Sequence, residues 1–200
     1  MIEVEVKLRA AHEAVRAALE AADAESKKRL TQVDTYYDAP HRDFAETDEA
    51  LRVRRERNPP SSDSGAEPAG SDAPGGHRFE ETVKVTYKGP LIDAESKTRA
   101  EHETAVADGD AAAAIFDGLG FEQAAVVEKE REYFVLDGYT VTLDRVDGLG
   151  EFVEVEAEAS ESADVESVRD GAFEVLRRLG LDPDEQIRTS YLGLLLEDAE

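Results

Sequence analysis

Glutamate, lysine and arginine recur at every second position in one segment after another of this 200-residue chain. That spacing suits two kinds of chemistry: cations that grip a multiply charged anion, and carboxylates that hold a divalent metal. Residues two apart in a strand share a face, so Glu3, Glu5 and Lys7 point one way while Val4, Val6 and Leu8 point the other. The same reading sets Arg52 and Arg54 opposite Leu51 and Val53, and Thr82, Lys84, Thr86 and Lys88 opposite Val83, Val85 and Tyr87. Further on, Lys97, Arg99, Glu101 and Glu103 share a face, as do Lys129 with Arg131, and Thr142 with Asp144. Glu154, Glu156 and Glu158 then alternate with Val153, Val155 and Ala157.

Such alternation usually marks the wet side of a half-buried strand. The charge count argues for something more. The faces carry nine cations against eight acids, whereas the whole chain has 23 basic residues against 47 acidic ones. Five of the seven lysines lie on these faces, and only Lys27 and Lys28 lie outside them. A site for a polyanion requires such concentration. Mg²⁺ or Mn²⁺ takes oxygen ligands, and Glu3 with Glu5, together with Glu154, Glu156 and Asp144, could supply them. Clustered acids are costly to bury unless cations compensate them, so metal and polyanion would each relieve the other's charge.

The elements that must position these groups are mainly strands. If they close into a barrel with the charged face inward, the apolar face points out and amphipathic helices cover it, leaving a polar tunnel. An open sheet with its charged face in water and helices on the other side fits the periodicity equally well. Helical patterns run over Ala11–Ser26, with Val15, Leu19 and Ala22 on one face, over Asp110–Leu119 and over Ser162–Leu179, with a short fourth helix from Thr189 or Ser190. Gly120 and Gly180 follow the second and third as C-caps. Residues 58–77 are Pro, Ser, Gly, Ala and Asp with almost nothing to bury, so they read as a disordered hairpin loop inside one domain spanning 1–200.

Composition narrows the partners. A formal net charge of -24, spread along the chain, repels nucleic acid and anionic lipid, so neither is an expected partner. That acidity, with arginine preferred to lysine, also points to a cytosol at high salt. With no cysteine and four scattered histidines, carboxylates must be the metal ligands. The N-terminal Met-Ile-Glu-Val-Glu has no signal-peptide pattern and no apolar run could span a bilayer, so a cytoplasmic location is expected.

Several of these segments, taken together and in order, resemble the CYTH or triphosphate-tunnel family. The segments are Glu3-Val4-Glu5-Val6-Lys7, Tyr36-Tyr37-Asp38, Ala50-Leu51-Arg52-Val53-Arg54, Val85-Thr86-Tyr87-Lys88-Gly89-Pro90 and Ser96-Lys97-Thr98-Arg99-Ala100-Glu101. They continue with Lys129-Glu130-Arg131, Leu143-Asp144, the run Gly148 to Glu156, and Ser190-Tyr191-Leu192. The resemblance implies an α+β, mainly β fold: a closed eight-stranded antiparallel β-barrel with helices packed outside. It implies Glu3, Glu5, Asp144, Glu154 and Glu156 as ligands of Mg²⁺ or Mn²⁺. It also implies Lys7, Arg52, Arg54, Lys84, Lys97, Arg99, Lys129 and Arg131 as phosphate contacts, with Lys7, Lys84 and Asp144 as catalytic residues. Lys88 is either a rim residue or a further phosphate contact, Tyr36 and Tyr37 are core, and Arg188 is the one cation near the C-terminal helix. The implied partner is ATP or another triphosphate, and family members are often homodimers.

The motif wording is most similar to the class IV adenylyl cyclase branch, which makes cyclic AMP and pyrophosphate from ATP. A triphosphatase acting on inorganic, thiamine or nucleoside triphosphate, and a non-catalytic polyphosphate or nucleotide sensor, are the alternatives.

Overall fold

The computed structural model describes residues 2–58, 81–93, 95–160 and 164–197. Eight strands form one sheet: β1 (Ile2–Arg9), β2 (Glu25–Asp38), β3 (Ala50–Arg57), β4 (Glu81–Leu91), β5 (Arg99–Val106), β6 (Glu122–Leu136), β7 (Tyr139–Val146) and β8 (Gly150–Ala159). Around the barrel they run β1, β5, β4, β3, β2, β6, β7, β8 and back to β1, with every neighbour antiparallel. The sheet is therefore closed, as the resemblance implied, and the open-sheet alternative falls. β1 pairs with β8 from Ile2↔Ala159 to Arg9↔Phe152, which sets Glu5 beside Glu156 and Lys7 beside Glu154. Its other edge meets β5 at only Ile2↔Ala100 and Glu3↔Arg99.

The helices are α1 (His12–Ala21), α2 (Phe44–Thr47), α3 (Gly109–Gly118), α4 (Val165–Arg178) and α5 (Tyr191–Glu197). Apolar residues from the outward faces of β1, β6, β7 and β8, among them Leu8, Phe134, Leu143 and Val153, pack against Val15 and Leu19 of α1 and Val175 and Leu176 of α4. Burying each such side chain is worth roughly 1.5 to 3 kcal/mol, so these helices are what makes an inside-out barrel stable. Helix α4 lies so close to β7 that a Cβ on Gly171 would sit 1.9 Å from Tyr139 Oη. That hydroxyl donates to the Val168 carbonyl at 3.0 Å. On the other side, Ala113 and Phe116 of α3 cover Tyr37, Leu51, Val53 and Val83.

A third cluster lies inside. Tyr36, Val127, Val146 and Phe152 share the strand parity of Asp34, Lys129, Asp144 and Glu154, so the inward face turns apolar at one end of the barrel. Tyr191 of α5 packs there, with Leu192, Leu194 and Leu195 half-buried around it. Inversion of the barrel is thus local: charged along the middle, oily where α5 plugs it.

The structure corrects several boundaries. The first helix stops at Ala21 rather than Ser26, because Asp23 takes a left-handed φ of 56° and turns the chain into β2. Lys28 consequently belongs to a strand. The second and third helices lie within a few residues of expectation, and Gly120 and Gly180 follow them at φ 85° and 76°. Helix α2 had no sequence signal. The loop expected over 58–77 lies, from residue 59 onward, outside the described residues. Among those residues no helix is long and apolar enough to cross a membrane.

Candidate functional site

The inward faces of the strands enclose a cavity of about 460 Å³, within the range of sites that hold small molecules. Lys7, Arg52, Arg54 and Lys84 line it, as do Lys97, Arg99, Lys129 and Arg131. Glu3, Glu5, Glu154 and Glu156 line it too. Period-two geometry delivers the strand-borne groups to the inner face, while Lys97, expected on a strand face with Arg99, lies in the irregular segment before β5.

Two buried aspartates organise the cations. Asp34 on β2 accepts from Arg54 Nε at 2.6 Å and from Arg54 Nη2 at 2.7 Å. Arg52 and Lys129 stand 3.6 and 3.7 Å from its Oδ2. Burial works against the Asp34 charge, but Arg54 and Arg52 outweigh it and hold the carboxyl far below the usual range. Asp144 on β7 plays the same part for Arg131, accepting from Nε at 2.6 Å and from Nη2, while Tyr191 Oη donates to its Oδ2 at 2.9 Å. Tyr191 also places its ring 4.3 Å from Lys7 Nζ and 4.9 Å from Lys129 Nζ.

Positive charge is in excess here. Burial and the adjacent Arg131 push the Lys129 ammonium down to about 7, against the attraction of Asp144. Burial and Lys7 push Lys97 down to about 7 as well. Lys97 Nζ and Arg52 Nε are buried with no hydrogen-bond partner among the described residues. Unmet donors in such a place are costly unless an anion meets them.

Negative charge is in excess next to it. Lys88 Nζ lies between Glu3, Glu101 at 2.9 Å and Glu5 at 3.7 Å. Burial, with Lys88 opposing, raises the Glu3 carboxyl. Burial, then Glu3 and Glu154, raise Glu156 to about 8, although Arg131 pulls the other way. One ammonium does not balance four carboxylates, and an all-oxygen donor set of this charge fits Mg²⁺ or Mn²⁺. Among the described residues no three Asp, Glu or His side chains converge as a finished metal site. Lys88 stands among them instead.

Asp144 was expected among the metal ligands and catalytic residues. It is fully buried, with one carboxylate oxygen taken by Arg131 Nε and the other by Arg131 Nη2 and Tyr191 Oη, which makes it a counter-charge to Arg131. Glu154 gives one oxygen to Arg131 as well. Lys84 sits near a mouth of the cavity, 2.9 Å from Glu103, and Arg99 Nη2 is held 2.9 Å from Asp48. Arg188 lines a neighbouring cavity instead.

Sequence reasoning missed Asp34, Glu101 as a partner of Lys88, and the cavity positions of Lys28 and Tyr133. The alternation Gln32, Asp34, Tyr36 could have exposed Asp34.

A family model for the CYTH domain matches residues 1–191. Over 167 residues the chain is 36% identical to a Methanocaldococcus jannaschii protein named "Putative adenylate cyclase", which covers 84% of this chain and 82% of that one. The PH1819 protein of Pyrococcus horikoshii has the same architecture, with a TM-score of 0.83, 35% identity and coverage of 98% of this chain and 99% of that chain. A Hippeastrum protein named "Putative adenylyl cyclase" and described as having a dominant triphosphatase activity shares the fold at 17% identity and TM-score 0.60, over 98% of this chain and 95% of that one.

Proposed function

The chain belongs to the CYTH family, and on that premise we propose that it is a divalent-metal-dependent enzyme converting ATP to cyclic AMP and pyrophosphate. The observation that carries this reading is the meeting of two opposite charge excesses in one cavity. Unpartnered donors on Lys97 and Arg52 stand in the same cavity as Glu3 and Glu156, whose carboxyls are raised by burial and, for Glu156, by the neighbouring Glu3 and Glu154. A triphosphate with its metal satisfies both.

Arg52, Arg54, Lys129 and Arg131 would take the phosphate oxygens, with Asp34 and Asp144 fixing three of those side chains before substrate arrives. Such preorganised charge lowers the barrier because nothing reorganises as charge shifts along the phosphates. Lys7 and Lys97 would close on the chain of phosphates from β1 and the segment preceding β5. Glu3, Glu5, Glu154 and Glu156 are the residues that would hold Mg²⁺ or Mn²⁺, which neutralises phosphate oxygens when bound. Lys88 must give up its carboxylates as that site fills, which leaves its ammonium free for phosphate. In the cyclase reaction the ribose 3′-oxygen bonds to the α-phosphorus and the bond to the β-phosphate oxygen breaks, releasing pyrophosphate. The 36% identity to a relative named as an adenylate cyclase supports this choice of reaction.

Hydrolysis of a triphosphate is the second reading. The observation favouring it is that the lysines and arginines lining the cavity would suit phosphate oxygens, which a bare triphosphate offers as well as ATP does.

Product analysis decides between them. ATP, inorganic triphosphate and thiamine triphosphate are each incubated with Mg²⁺ or Mn²⁺ at high salt. Cyclic AMP with pyrophosphate supports the cyclase, orthophosphate supports the hydrolase, and tight binding without turnover selects a sensor.

A further inference from the structure

Lys97 reaches the phosphate cavity from an unusual place. Every other lysine and arginine that lines it stands on a strand, whereas Lys97 lies after the end of β4 at Leu91 and before the start of β5 at Arg99. Its ammonium is buried without a hydrogen-bond partner among the described residues, and Lys7 and Arg99 repel it. A flexible lysine stem on an untethered segment would carry that charge out to water. The sheet does little to prevent this. β1 and β5 share two residue pairs, and beyond them the Lys97 amide donates to the Glu5 carbonyl at 3.0 Å.

The segment is held from outside the barrel as well. Arg169 of α4 brings Nη1 to 2.8 Å from Glu95 Oε2 and 3.5 Å from Asp93 Oδ1, with Asp170 of its own helix 3.4 Å from Nη2. Asp93 Oδ2 accepts from Ser96 Oγ at 2.6 Å, and Ser96 Oγ meets Thr98 Oγ1 at 2.6 Å, both of these residues being fully buried. The neighbours of Lys97 on either side are thus chained to one guanidinium. Arg169 is itself buried, on a helix face that otherwise buries Ala172, Val175 and Leu176, and it lines no part of the cavity. Packing beneath α4 would be served at lower cost by an apolar side chain, so the charge is there for the acids it meets.

We propose that Arg169 is a positioning residue: by holding Asp93 and Glu95 from outside the barrel, it keeps Lys97 aimed into the cavity to meet a phosphate oxygen. The proposal rests on the triphosphate reading above and extends that site to a residue that touches neither phosphate nor metal. A cation fixed in place beforehand stabilises the anion without first being ordered by it.

Two variants test the tether from its two ends. Arg169→Met keeps an unbranched stem beside Phe173 and removes the charge. Glu95→Ala removes the 2.8 Å partner at a side chain that is mostly exposed, where the fold tolerates its loss. Each is made alone and together with Lys97→Ala, and inorganic triphosphate is titrated calorimetrically into the full chain at high salt with EDTA. Arg169→Met should weaken binding at least about threefold when Lys97 is present and have no effect once Lys97 is gone. Glu95→Ala should act in the same direction and with the same dependence on Lys97, and carries the comparison should Arg169→Met unfold. In either variant without ligand, the Lys97 amide should exchange its hydrogen faster, while amides of the β1–β8 ladder keep their protection. Weakening that persists without Lys97 marks a general structural role and overturns the proposal. Unchanged triphosphate affinity, or a Lys97 amide that does not respond, overturns it too and leaves the triphosphate reading standing. A wild-type protein that binds no triphosphate overturns that reading and the proposal with it.

Discussion

Asp34 accepts two hydrogen bonds from Arg54, at 2.6 Å from Nε and 2.7 Å from Nη2, on the inner face of the barrel. The pair is fully enclosed, and Arg52 and Lys129 also face the same carboxylate. Taking away one side of such an arrangement leaves buried charge without compensation. Asp34→Asn should therefore cost about 3 to 5 kcal/mol of stability, and added inorganic triphosphate should restore part of it. Thermal unfolding with and without triphosphate measures both effects; an unchanged midpoint would mean that Asp34 is not the counter-charge.

Arg54→Ala should weaken triphosphate binding by about 1.5 to 3 kcal/mol, the worth of a hydrogen bond to a charged group, while affinity for Mn²⁺ stays near that of the parent. Calorimetric titration of each ligand distinguishes the two. An unaltered dissociation constant for triphosphate would remove Arg54 from the phosphate contacts.

The two depressed lysines set a pH dependence. In the empty protein Lys97 and Lys129 lose their protons near 7 rather than 10.5, so at pH 8 both are largely neutral. An arriving polyanion favours the charged forms, so binding draws protons in and weakens as pH rises above about 7, by up to about tenfold per pH unit for each lysine still linked. The sign for folding is opposite. Between 7 and 10.5 the unfolded chain holds more protons, so these two groups make the empty protein more stable as pH rises through that window. Heats of binding in buffers of different ionisation enthalpy report the proton uptake directly, and release of protons would contradict the assignment.

Replacing Glu3 and Glu5 by Gln removes charge with little change of shape. Mn²⁺ affinity, followed by electron paramagnetic resonance, should fall on the order of 100-fold or more, with the far-ultraviolet circular dichroism unchanged. Retained Mn²⁺ binding would place the metal elsewhere.

A charge of -24 on 200 residues strains the compact state unless salt screens it. The unfolding midpoint should climb between 0.1 and 2 M KCl. Full stability in dilute buffer would count against life at high salt.

Much of the site was legible because a two-residue period survives tertiary packing: Glu3, Glu5 and Lys7, or Arg52 and Arg54, keep their face whatever surrounds them. What periodicity does not carry is pairing between distant strands. Closure depends on Ile2↔Ala100 and Glu3↔Arg99, a two-pair seam without local signature, and came from the family resemblance. Asp34 was hidden because its companions, Gln32 and Tyr36, are uncharged. The partners of Asp144 were hidden for a related reason: its sequence position gives its face, while Arg131 and Tyr191, which bond its oxygens, come from two other elements. Lys88 was undecided for want of depth, which only coordinates supply.

Crystals grown with Mn²⁺ and the unreactive β,γ-imido analogue of ATP test the central claim most directly. Three phosphorus positions should appear inside the barrel against Arg52, Arg54, Lys129 and Arg131, with anomalous manganese signal beside Glu3 and Glu5. Phosphates bound only on the outer surface, with the cavity lined by Lys97 and Glu156 left untouched, would contradict it.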